Sequence, residues 1–138
     1  MLLVANVFVC HWLGPDAARK IGGNTMHATL KLPMSHLGEK KSHLTGETLQ
    51  NFRSDYDEVR VLFTDGFSMV ACVQYFQADL RQKQAKRKYA LLFGGVAQFL
   101  FGDLLQFGPV QRAAVYDPRP VVKEVVKEVE QEPKVQKD

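Results

Sequence analysis

The sequence predicts an α+β fold, a small antiparallel sheet with a central hairpin at about 58–76, covered by an apolar helix at about 89–107 and followed by a flexible C-terminal tail. Three observations predict it. Two apolar, β-branched and aromatic runs meet at Asp65-Gly66, a pair suited to a tight reversal. A run of straight-chain helix formers, rich in Lys and Arg, extends from 77 towards Gly94-Gly95. From Tyr89 to Val110 the chain is then almost free of charge, with Phe93, Phe99, Phe101 and Phe107 spread around any helix that would contain them.

Taken in order, residues 2–12 are rich in Val, Phe and Trp and have the length of a buried strand. Gly14-Pro15-Asp16 breaks that run, and 16–21 form a short helical piece closed by Gly22-Gly23. In 25–32, Met26, Ala28, Leu30 and Leu32 alternate with Thr25, His27, Thr29 and Lys31, the period of a half-buried strand. Pro33 ends it. The polar stretch 34–46 reads as a mobile loop and 47–53 as a short helix.

The hairpin pairs 59–64, where Val59, Val61 and Phe63 share a face, with 67–76, apolar on both faces. Asp65-Gly66 between them supplies the positive φ of a type I′ turn. A helix over 77–93 follows, its basic side chains directed outward, and then the apolar helix, which Pro109 stops. Beyond 117 the prolines and the VVKEVVKEV run read as a tail, in which the four-residue repeat is compatible with one short helix.

A chain of 138 residues has room for one domain, assigned to 1–116, with the charged low-complexity tail at 117–138. Its 46% hydrophobic and 24% charged residues exclude wholesale disorder. Cys10 and Cys72 lie within apolar runs and read as buried thiols, which points to the cytoplasm or another reducing compartment. The apolar N-terminus lacks a positive leading region and a small-residue cleavage pattern, so it is read as structure.

Chemistry-bearing patterns are sparse. His11, His27, His36 and His43 fall in no metal-ligand spacing, and no metal or cofactor is expected. Asp55, Asp57 and Glu58 cluster with the spacing of a turn. No GxGxxG, GxxxxGK[ST], GxSxG or HExxH run occurs. These readings lead to the expectation of a non-enzymatic accessory or binding protein with no catalytic residue.

The net charge of +3 is placed unevenly, because 77–88 hold five cations against the single acid Asp79. Arg81, Lys83, Lys86, Arg87 and Lys88 on one helix would neutralise phosphates and release counterions, so nucleic acid is the first expected partner. Lys31, Lys40 and Lys41 would extend the patch, and Tyr75 or Phe76 would offer a stacking face. A solvated helix face is the plainer account of the same residues. Two alternatives use the neighbouring segment: association of 89–110 with an anionic membrane behind its basic flank, which Asp103 opposes, or a homo-oligomer interface through 89–107.

Overall fold

Gly66 adopts φ 73° and ψ 26°, so the chain turns at the Asp65-Gly66 pair, but no returning strand follows. Phe67–Met69 form one 3₁₀ turn, and the chain then enters a helix. The computed structural model describes residues 7–11, 15–20, 22–33, 43–105, 107–109 and 114–116. The expected loop at 34–46 lies outside them except for 43–46, as do His36 and the tail 117–138.

The elements are β1 (Val7–His11), α1 (Pro15–Lys20), β2 (Asn24–Thr25), α2 (Met26–Leu30), α3 (Gly46–Tyr56), β3 (Val61–Asp65), α4 (Cys72–Lys86) and β4 (Ala97–Phe101). The strands form one sheet in the order β2-β1-β3-β4. Every pairing is parallel: Val7 to His11 lie beside Val61 to Asp65 in unbroken register, and Val61 to Asp65 lie beside Ala97 to Phe101. The expected antiparallel sheet with its central hairpin is therefore overturned. The physical reason is that a parallel neighbour is reached only through a crossover, so each apolar run is followed by helix rather than by its partner strand.

Three element expectations change with the topology. The alternating segment 25–32 contributes only Thr25 to a strand. The Thr25 hydroxyl accepts from the Ala28 amide at 3.2 Å and starts α2, and Lys31 ends it at φ 51°. Met26 and Leu30, four apart, are its buried positions, so the same residues satisfy a helical period as well. The helix expected over 77–93 begins instead at Cys72, where the Gln74 side chain accepts from the Ala71 amide at 3.1 Å. It ends at Lys86, capped by Arg87 at φ 56°.

The apolar helix expected at 89–107 does not form. Phe93, Gly94 and Gly95 all take positive φ, making Leu92–Gly95 a tight turn, and the following residues become the edge strand β4. Gly94 is required there by contact as well as by φ, since a Cβ would stand 2.6 Å from the Gln82 carbonyl oxygen.

The core lies between the sheet and α2, α3 and α4. Leu62 of β3 belongs to one buried cluster with Met26, Leu30, Phe52, Tyr56, Val59, Val70, Ala78, Ala85 and Val96. The buried stripe of α4 includes Ala78, Arg81, Gln82 and Ala85, a helical period filled half by polar side chains. Gln82 is held there by the Tyr56 hydroxyl, which donates to its Oε1 at 2.9 Å, and by the Gln98 amide, which donates to the same oxygen at 2.8 Å. Gln84 closes the other side, its Nε2 donating to the Leu44 carbonyl at 2.7 Å and its Oε1 accepting from the Leu44 amide at 3.1 Å.

Candidate functional site

The strand order reverses between β1 and β3: β2 lies to one side of β1, and β3 and β4 lie to the other. In an open parallel sheet such a reversal leaves a crevice outside the carboxyl ends of the two strands, because their connections leave towards opposite sides. Here those ends are His11 and Asp65, partners in the register. Asp65 is half-buried, and its Oδ1 accepts from the Gly66 amide at 2.9 Å.

The same edge is extended by the end of β4. Gly102 lies against the turn that leaves β3, and Asp103 beyond it is exposed, its Oδ1 accepting from the Leu105 amide at 2.9 Å. Ala114 forms an antiparallel bridge with Ala71, and the Tyr116 hydroxyl donates to the Ser68 carbonyl at 3.4 Å, so the chain returns to this edge after 109. Among the described residues no group of three or more His, Cys, Asp and Glu is gathered as a metal cage would need.

The five cations of the basic run do not form one surface. Arg81 is only 3% exposed, its Nε donating to the Lys31 carbonyl at 3.2 Å and its Nη1 to Gln84 Oε1 at 3.4 Å. Burial lowers its pKa from the usual guanidinium value. Lys83 pairs with Asp79 at 2.6 Å, and Asp79 also accepts from the Phe93 amide at 2.6 Å, so this ion pair ties α4 to the turn before β4. Lys86 donates to the Asp57 carbonyl and stands 5.7 Å from the centre of the Tyr56 ring. Its pKa is lowered, chiefly by burial, against a smaller opposing pull from Asp57.

Arg87 and Lys88 remain exposed, just past the end of α4. The outward projection expected of all five side chains thus holds for these two, and Arg81, Lys83 and Lys86 are engaged in the fold. Of the expected stacking rings, Tyr75 lies half-buried between Phe67 and Phe93, at 5.4 Å and 5.0 Å between centroids.

Asp65 was legible in the sequence only as a turn residue. The signal for its place at a sheet edge is the alternation of apolar runs with helix-forming segments, which describes βα units and a parallel sheet.

No family model and no curated protein matches the chain. Solved structures do. The chain is similar to the Pif1 helicase from Bacteroides in complex with ADP-AlF3 and ssDNA, with 26% identity and a TM-score of 0.65 over 78% of this chain and 24% of that one. It is similar to unliganded Pif1 from Bacteroides sp, with 26% identity and a TM-score of 0.64 over 78% of this chain and 24% of that one. The Pif1 helicase from Candida albicans matches with 26% identity and a TM-score of 0.64, over 76% of this chain and 24% of that one. The chain thus spans about a quarter of the length of the helicases it matches.

That likeness overturns the expectation of a non-enzymatic accessory protein, since the matched chains are helicases, which are enzymes. The membrane alternative at 89–110 and the homo-oligomer alternative at 89–107 find no support, since Leu92–Gly95 form a turn and Ala97–Phe101 a strand where an apolar helix was expected. Among the described residues no helix is long and apolar enough to cross a membrane.

Proposed function

We propose that this chain forms part of the motor core of a Pif1-like helicase. In this reading the carboxyl edge at the β1/β3 reversal faces a nucleotide, and exposed cations contact single-stranded DNA. The observation that carries the reading is the match, over 78% of the chain, to a helicase solved with ADP-AlF3 and ssDNA. An all-parallel sheet with a switch point at His11 and Asp65 supports it, because nucleotides bind sheets of this kind at that position.

Phosphoryl-transfer motors use a divalent ion to bridge phosphate oxygens, held in part by an acidic residue. Asp65 fits such a contact, as magnesium takes only one or two protein carboxylates and fills its remaining positions with water and phosphate. The sequence contains no GxxxxGK[ST] run to cradle the phosphates. Hydrolysis would therefore need phosphate-binding groups from elsewhere than this sequence.

Titration of the chain with a labelled single-stranded oligonucleotide at low and moderate salt tests the reading. Binding that weakens as salt rises is expected. Replacing Arg87 and Lys88 together by Gln should flatten the logarithmic salt slope by about 0.7 for each phosphate that is no longer neutralised. Absence of binding even at low salt, where the electrostatic contribution is greatest, would sink the proposal.

A further inference from the structure

The basic run is not the only source of cations at the end of α4. A cavity of about 470 Å³ lies between the second half of α3 and that end, and Arg53, Ser54, Asp57, Glu58, Lys86 and Arg87 help to line it. Arg53 is half-buried, and its Nε donates to the Gln84 carbonyl at 3.2 Å. Among the described residues its two terminal nitrogens have no hydrogen-bond partner, so a guanidinium suited to two-point contact with phosphate is anchored and unused. Both helices end here, and the negative ends of their dipoles oppose an anion. Arg53 and Lys86 offset them, the one donating to the Gln84 carbonyl and the other to that of Asp57.

Arg60 and Lys88 complete the cluster. Burial is the first cause of the lowered Lys86 pKa, and the charges of Arg60 and Lys88 act in the same direction, so both stand near its amine. Arg60, Arg87 and Lys88 are exposed. Arg53, Arg60, Lys86, Arg87 and Lys88 thus gather from α3, the lead into β3 and the end of α4, against the two carboxylates Asp57 and Glu58. Among the described residues no ion pair joins any of these cations to either acid. The Arg60 carbonyl accepts from Ala97, the first residue of β4, so the cluster lies on the amino side of the sheet. The four steps of β3 from Val61 to Asp65 separate it from the carboxyl edge by roughly 13 Å.

We infer that a single strand of nucleic acid runs along this amino-side surface, with one phosphate seated in the cavity on Arg53 and its neighbours on Arg60, Arg87 and Lys88. A flexible polyanion fits better than a compact anion, because the exposed cations are spread over separate elements and track a backbone rather than enclose a point. The class of ligand rests on the helicase reading; the path of the strand, on the side of the sheet away from the nucleotide edge, goes beyond it.

Titration of the full chain with a labelled oligothymidylate over a range of salt concentrations tests the path, using Arg60→Gln, Glu58→Gln and Lys20→Gln, all at exposed positions. Lys20 is the control, as it ends α1, which packs on β1 and β2 rather than on β3. Arg60→Gln should flatten the logarithmic salt slope by about 0.7, and Lys20→Gln should leave it unchanged. Glu58→Gln removes a charge that repels the strand and should tighten binding about twofold at low salt. Equal effects of Arg60→Gln and Lys20→Gln would reduce the attraction to net charge and overturn the inference, as would unchanged or weaker binding by Glu58→Gln. An unaltered slope for Arg60→Gln, with the parent chain binding, would overturn the path and leave the helicase reading standing. A parent chain that does not bind overturns both.

Discussion

A Cβ placed on Gly102 would stand 2.9 Å from the backbone nitrogen of Ser68, so the end of β4 and the turn leaving β3 meet backbone to backbone. That contact brings Asp103 to the edge that Asp65 begins, and no larger residue permits it without displacing one of the two segments.

Gly102→Ala should accordingly cost about 1–3 kcal/mol of stability through overpacking. The urea midpoint measures this. Gly108→Ala is the comparison, since its Cβ would approach only the Tyr116 hydroxyl at 3.4 Å and should have a much smaller effect.

Gly66 is constrained by conformation, at φ 73°. Replacement by Val should destabilise the fold by about 1 kcal/mol or more, because a β-branched side chain resists the left-handed region. An unchanged midpoint in thermal or urea unfolding would count against the turn geometry after β3.

The basic run should divide under mutation as it does in the structure. Arg81→Gln removes a buried donor and leaves the Lys31 carbonyl without that bond, with an expected loss of about 1–3 kcal/mol. Arg87→Gln and Lys88→Gln alter exposed positions and should change stability by no more than about 0.5 kcal/mol. Equal effects on the unfolding midpoint would contradict the burial of Arg81.

Tyr75 has its pKa raised above the usual phenol value, first by burial and then by the neighbouring charge of Asp79. The folded state therefore keeps its proton where the unfolded chain loses it. The stability this contributes is fully present below about pH 10 and is lost as pH rises through the folded-state value. Tyr75→Phe should make the alkaline fall in stability shallower, as followed by urea midpoints across that range.

Tyr56→Phe tests the polar contact inside the core. Gln82 Oε1 would keep the Gln98 donor and forgo only the Tyr56 hydroxyl, so a destabilisation of about 0.5–1.5 kcal/mol is expected by the same denaturation measurement.

By itself, the sequence determined what is local. Pro15 and the glycines after it bound α1, the polar helix formers after 46 make α3, and Gly66 reverses the chain after an apolar run, because capping and backbone sterics act over a few residues. The helix end that leaves Arg87 and Lys88 exposed was not legible, since the run of helix formers predicts a helix continuing to 93. The tertiary structure decided which strands pair and in what order, since Val61 to Asp65 are equally apolar whichever neighbour they take. It also decided the fate of Arg81 and Gln82, polar residues that the Lys31 carbonyl and the Tyr56 hydroxyl make suitable for burial. The run at 93–101 became a turn and an edge strand because Gly94 packs on the Gln82 backbone and Ala97 donates to the Arg60 carbonyl. Partners so distant along the chain leave no trace in hydrophobic periodicity, so the carboxyl edge that joins Asp65 to Asp103 exists only once the sheet has formed.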